Sequence, residues 1–369
     1  FIQIKLIIVG KEKELTYVDL FGEMATVHKP IKRLVVFSHS AGEVIRALNV
    51  QEIVVGVDEI ICDEKLYFLE LSKLPMVGSW HVPDYEAILN QNPDAVMTFI
   101  PQAAYWATKK AEWNEKLPGV NIITLGYVNP PTGEKYTDID KYNDLIQSTR
   151  KLGYILDKED EAEEFCDWWE GYFNTIKSRT DQLSEDEKPR VFMEWLRDYK
   201  FAKITRAIRI YNVAGGIDIC ADAGLPSGQV DPEWVIVQNP DIIVKHVYLY
   251  YTPCGYEVDD PSELIAAREE ILNRPELAAV SAVKNNRVYI LAEPEYINGP
   301  GSLFGIAYCA KWFHPDLFED LDPEAIHQEY LDRFQHIDYD LDEHGVFVYP
   351  PIEINGGLAG IPDKYKGQI

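Results

Sequence analysis

The chain has 369 residues, 46% apolar and 26% charged, so wholesale disorder is excluded and two domains, each with its own core, are the default for this length. Its 61 acidic residues against 35 basic ones give a net charge of −26, with no basic stripe for nucleic acid or an anionic membrane surface. The 5 cysteines, without a CxxC spacing, indicate neither a zinc knuckle nor a dense disulfide framework, and no stretch nears the ~18 apolar residues of a membrane span.

The chain opens on FIQIKLIIVG, too short and wrongly flanked for a complete signal peptide, so targeting information is expected upstream of Phe1. Residues 1–15 receive no element and are taken as an N-terminal extension. Residues 31–57 read as strand, turn, helix, strand: Leu34 to Phe37 suits a strand buried on both faces. Ser38 or Ser40 can cap a helix with Val44, Ile45 and Leu48 at helical spacing, and Ile53 to Val57 is the next strand. Together they predict a βαβ unit with a parallel sheet.

DYEAILNQNPDAV at 84–96 returns as DPEWVIVQNPDII at 231–243, with Asp, Glu, Gln, Asn, Pro and Asp at the same offsets. Each copy predicts a capping Asp (Asp84, Asp231), a short helix, an Asn-Pro-Asp turn and a strand. The copies are expected to be equivalent elements of two similarly built lobes.

Between them, 141–184 is rich in helix formers and free of proline. Leu145, Leu152, Ile155, Ala162, Phe165, Trp169, Phe173 and Ile176 recur at helical intervals and predict a stiff amphipathic connector, broken at Gly153 and DKEDE. The second lobe is expected to start with the strand at 189–196. It then runs through 211–224 and the repeat to a helix at 261–272, a strand at 287–291 and a helix at 302–313. From Tyr349 the Pro and Gly density predicts a surface tail. The expected domains are 16–140, the connector 141–184, 185–345 and the tail 346–369.

TYVDLFGEMATVHKPIKRLVVFSHSAGEVIRALNV (16–50), LPMVGSWHVPDYEAILNQNPDAVM (74–97), AGGIDICAD, VDPEWVIVQNPDIIV and AVKNNRVYI together resemble the class III substrate-binding proteins of ABC importers, a family that captures iron-siderophores, haem or cobalamin. The resemblance covers roughly 16–320. It implies an α/β fold of two Rossmann-like lobes joined by a long rigid helix, with the ligand cleft between the lobes. It also implies an extracytoplasmic protein, periplasmic or on the outer cell surface, working with an ABC permease and touching the membrane only through that permease or an upstream anchor.

With that fold, ligand residues lie on loops at the carboxyl ends of strands. The first-lobe candidates are Ser38 and His39, Trp80 and His81, and Tyr105 and Trp106 in the PQAAYW loop. Those of the second lobe are Trp195, Arg197 and Tyr199, then Arg206 and Arg209, Tyr248 in the KHVYLYY loop, and Tyr296. Aromatic walls with a few arginines suit a bulky, partly apolar ligand with acidic edges. Trp195 can equally be core, since one face of an alternating strand must be buried.

His39, His81 and His246 lie on three separate loops without metal-motif spacing, so no metal site is assigned; His28, His314, His327, His336 and His344 read as peripheral. In the resembled family one acidic residue per lobe docks onto permease arginines, and Glu86 and Glu233 are the implied pair. Their alternative role is to complement their own helix N-termini. No GxSxG, P-loop or GxGxxG motif is present, so no enzyme, catalytic residue or cofactor is assigned. The expected ligand is a metal chelate such as a ferric siderophore, haem or cobalamin. The alternatives are a small oxyanion or bare metal ion on the same fold, and a metal-dependent enzyme.

Overall fold

The computed structural model describes residues 4–9, 12–19, 22–99, 103–126, 138–196, 198–201, 210–225, 227–293 and 299–368; side chains are described from Lys13 onward, excluding Phe99, 103–108, 138–141 and Phe201. The chain divides into two compact units, Phe1–Trp169 with Arg333–His336, and Glu170–Asp332 with Ile337–Ile369. Among the described residues no helix is long and apolar enough to cross a membrane.

In the first unit β1 (Ile4–Val9), β2 (Glu12–Val18) and β3 (Met24–Lys29) form an antiparallel sheet. Residues left without an element by the sequence therefore supply β1 and the start of β2. A parallel sheet follows, built from β4 (Leu34–Phe37), β5 (Val54–Val57), β6 (Ala95–Phe99) and β7 (Asn121–Leu125) in the order β5-β4-β6-β7. The helices are α1 (His39–Ala47), α2 (Glu59–Asp63), α3 (Tyr85–Asn90) and α4 (Ala103–Lys116). Val35, Phe37, Val77, Ile88, Val96 and Trp113 pack as one cluster with little or no exposure. The connector is two helices, α5 (Asp138–Leu156) and α6 (Glu159–Thr180), parted at Asp157, whose φ of 57° no helix accepts.

The second unit holds β8 (Arg190–Trp195), β9 (Lys200–Phe201), β10 (Ile217–Asp218), β11 (Gly228–Gln229), β12 (Ile242–Tyr248), β13 (Val288–Glu293) and β14 (Val348–Tyr349). Its main sheet has the order β10-β8-β12-β13-β14, parallel except for β14. The helices are α7 (Ile219–Asp222), α8 (Pro232–Gln238), α9 (Ser262–Leu272), α10 (Ser281–Lys284), α11 (Ser302–Phe313) and α12 (Pro323–Tyr330).

The segment expected to be a surface tail is integrated instead. Val346, Phe347 and Val348 are buried, β14 pairs with β13, and β15 (Ile352–Ile354) and β16 (Gly357–Ala359) form a hairpin that buries Leu358 and Ala359. Its Pro and Gly shape tight turns; the apolar residues between them set the packing. His327, read as peripheral, is fully buried on α12, where its Nε2 lies 2.6 Å from the Tyr256 hydroxyl.

The repeated segment occupies matching places in the two sheets. Asp84 caps α3 by accepting the Ala87 N–H at 2.9 Å, and Asp231 caps α8 by accepting that of Glu233 at 2.9 Å. Asn92 and Asn239 end the helices in the left-handed region, with φ of 48° and 45°, which Asn tolerates better than most residues. Asp94 then accepts N–H groups from Lys32 and Arg33 just before β4, and Asp241 accepts that of Arg190 at the start of β8. Each copy is therefore a latch, setting the register of its strand (β6, β12) beside the first strand of its sheet.

Candidate functional site

At the carboxyl end of β4, Ser38 adopts a φ of 92° and caps α1, its Oγ accepting the Ala41 N–H at 3.2 Å. Its own N–H donates to Asp58 Oδ2 at 2.7 Å, while Asp58 Oδ1 accepts the Ile61 N–H at the start of α2. Asp58 is fully buried, and burial pushes its carboxyl up to about 7. One side chain thus ties together the loops that follow β4 and β5.

His39, placed by the sequence on a binding loop, opens α1 with its ring inside the unit at 5% exposure. Its Nδ1 lies 2.6 Å from Glu64 Oε2, its Nε2 lies 3.6 Å from Glu43, and its ring stacks on Tyr67. Burial opposes the imidazolium, but the Glu64 and Glu43 carboxylates outweigh it and hold His39 well above the usual histidine range. Arg46 completes this interior group, donating from Nε to Gln335 at 2.8 Å and from Nη1 to the Tyr67 carbonyl. No local pattern links His39 to Glu64 or Arg46 to Gln335, which is why a loop position looked accessible.

Trp80 and His81 follow Gly78, whose φ of 84° and close approach to Val82 O, 2.6 Å from any added Cβ, require glycine. Trp80 is half-buried against the Val35–Trp113 cluster, and His81 is exposed beside it. Tyr105 and Trp106 belong to α4 rather than to a loop, and their side chains fall outside the described residues. Arg197, Arg206, Arg209 and Tyr296 also lie outside the described residues.

In the second unit, Trp195, His246, Tyr248 and Glu293 project from one face at the carboxyl ends of β8, β12 and β13, where the register pairs Trp195 with His246 and Tyr248 with Glu293. Lys245 to Tyr248 belong to β12, not to a loop. The half-buried Trp195 donates its indole N–H to Glu293 Oε2 at 2.8 Å, with Lys200 Nζ 4.2 Å from its ring centroid. Beyond β12, Tyr250 and Tyr251 are exposed by 56% and 69%, and Tyr250 packs on Tyr248 with ring centroids 5.1 Å apart. His246 is buried with Nε2 2.6 Å from the Tyr211 hydroxyl, and burial lowers it to about 3. His39 and His246 thus have interior partners of their own.

The opposite face carries a charge cluster that sequence reading missed. Glu194, fully buried, accepts from both Arg274 Nη atoms at 2.6 and 3.0 Å and pairs with Lys245 at 3.0 Å. It also accepts the Tyr199 N–H at 2.8 Å, and Arg274 reaches Asp198 and Glu270. The cluster clamps a turn in which Leu196 and Tyr199 have φ of 60° and 51°, values costly for such side chains. Tyr199 is buried, its hydroxyl on Glu276 and its ring under Arg274. Among the described residues Glu194, Asp198 and Glu270 are the group close enough to share a metal, but Lys245 and Arg274 each already pair with all three carboxylates. The available sequence signal was a charge inside each apolar strand run, Glu194 in VFMEW and Lys245 in IIVKHV, because a buried charge requires a partner.

A family model described as periplasmic binding protein matches residues 34–295, from β4 to just past β13. The chain belongs to the periplasmic binding protein family. This match bears out the class III resemblance, and the family is one of substrate-binding proteins rather than enzymes. As a periplasmic binding protein the chain is similar to an uncharacterized ABC transporter substrate-binding lipoprotein, YvrC of Bacillus subtilis, at 24% identity over 83% of this chain and 87% of that one. It is 24% identical to the molybdate-binding protein MolA of Haemophilus influenzae over 88% of this chain and 92% of that one. A crystal structure of the TroA-like periplasmic binding protein FepB from Veillonella parvula shares the fold, with a TM-score of 0.70 at 23% identity, covering 92% of this chain and 99% of that one.

Proposed function

We propose that this periplasmic binding protein is the extracytoplasmic substrate-binding component of an ABC importer, and that it captures an iron complex, siderophore or haem, or a corrinoid. The observation carrying the chelate reading is the aromatic group at the carboxyl ends of the second unit's strands: Trp195, Tyr248, and the exposed Tyr250 and Tyr251. Flat aromatic surface suits a bulky, partly apolar ligand better than a small hydrated ion. Ser38, Trp80, His81 and the arginines Arg197, Arg206 and Arg209 are assigned to the same role as donors; His39 and Tyr199 would act from inside, by fixing the strand-end loops. A small oxyanion is the second reading, favoured by the similarity to a molybdate-binding relative. Delivery to an ABC permease is assigned from the similarity to YvrC, which is described as an ABC transporter substrate-binding lipoprotein.

Glu86 and Glu233 are assigned to permease docking. Both are exposed in the first turns of α3 and α8, where Asp84 and Asp231 already supply the caps. Cells whose own copy is replaced by the Glu86→Ala/Glu233→Ala double variant should lose chelate uptake by about tenfold or more, as for charge pairs lost from an interface. Uptake at the wild-type rate would remove the docking assignment.

A further inference from the structure

Trp195 is held from two directions by groups that the family match does not explain. Its indole N–H donates to Glu293, a residue only 7% exposed at the end of β13, and Lys200 on β9 sits over one ring face. A carboxylate acceptor and a cation on the π face are both strong orienting contacts for an indole. We infer that Glu293 is a positioning residue that, with Lys200, pre-sets the Trp195 indole as a one-faced platform for an uncharged or anionic ligand surface.

The inference rests on the reading of Trp195 as a ligand contact. A ligand stacking on this ring must use the face opposite Lys200. A cation already drawn to the ring's electron density weakens the attraction for a second one, so cationic ligand edges are disfavoured there. The strand register supplies the rigidity: Glu293 pairs with Tyr248, and Trp195 with His246, so donor and acceptor ride on strands of one sheet. Pre-setting the ring in this way removes the ordering cost that a freely rotating side chain would incur on binding.

The test uses the full chain labelled with 5-fluorotryptophan and followed by fluorine NMR, the Trp195 line being assigned with Trp195→Phe. In the ligand-free protein, Glu293→Ala should shift and broaden that line while the other tryptophan lines stay in place, and Glu293→Gln, which keeps an acceptor, should leave it near its wild-type position. Lys200→Met, which leaves the strands untouched, should move the line without broadening it and serves where Glu293→Ala does not fold. An unmoved Trp195 line in Glu293→Ala or in Lys200→Met overturns the positioning.

Haemin is the binding probe. Its affinity should fall about tenfold in Glu293→Ala, where the indole loses its acceptor, and by no more than about twofold in Glu293→Gln, where an acceptor remains. Haemin that binds without moving the Trp195 line would overturn the platform, and with it the ligand-contact reading. The ligand-free spectra decide the positioning separately.

Discussion

Arg274→Ala is expected to destabilise the second unit by about 3–5 kcal/mol, the usual cost of removing one partner from a buried ion pair. Arg274 is 7% exposed and provides two of the hydrogen bonds to the fully buried Glu194. Without it Glu194 keeps Lys245 and the Tyr199 N–H, too little to compensate a carboxylate with no access to water. The clamp on the Leu196 to Tyr199 turn goes with it, so the left-handed residues there lose the contact that over-determines them. Arg274→Lys should recover only part of the loss, because one ammonium cannot reproduce the fork that serves Glu194 and Glu270 together. Urea unfolding followed by circular dichroism measures both; a loss below about 1 kcal/mol for the alanine variant would mean that the cluster is a solvated surface group after all.

Glu64→Ala is expected to have the second large effect, about 3 kcal/mol near pH 6. His39 is buried and charged against Glu64 and Glu43, so its folded pKa is raised above the unfolded value of about 6.5. A raised pKa contributes stability that is fully present below the unfolded pKa and is lost as pH rises through the folded one. The difference between wild type and Glu64→Ala should therefore be largest at about pH 6 and should shrink at alkaline pH. Unfolding curves at the two pH values decide it. A difference that is the same at both would show that Glu64 acts by packing alone and that His39 is neutral.

These two clusters mark where sequence reading stops. The repeat was legible because its signals are local: a capping Asp, an Asn that accepts a left-handed turn, and a Pro-Asp pair leading into an apolar strand all lie within 13 residues of each other. The parallel sheets followed from apolar runs such as LVVF and from the spacing of Val44, Ile45 and Leu48 on α1. These long-range contacts were not legible, because the ion-paired Glu194 and Arg274 lie 80 positions apart and the hydrogen-bonded Arg46 and Gln335 lie 289 apart, separations at which no periodicity operates. The same limit explains His39, which reads as a loop residue until Glu64 closes on it, and Tyr248, whose strand continues past the apolar IIV through a charged Lys245 that only its partner makes tolerable. The C-terminal segment was misjudged for another reason. Pro and Gly describe turns, and turns occur inside a packed unit as readily as on a tail.

The proposed capture of a bulky chelate by aromatic side chains of this periplasmic binding protein is tested most directly by titrating the purified chain, while following tryptophan fluorescence, with haem, cobalamin, a panel of ferric siderophores and molybdate. Saturable quenching at micromolar concentration or below by one of the chelates, lost or sharply reduced in Trp195→Phe, is the expected result. Saturable binding of molybdate with no response to any chelate would contradict the claim and move the assignment to the oxyanion reading.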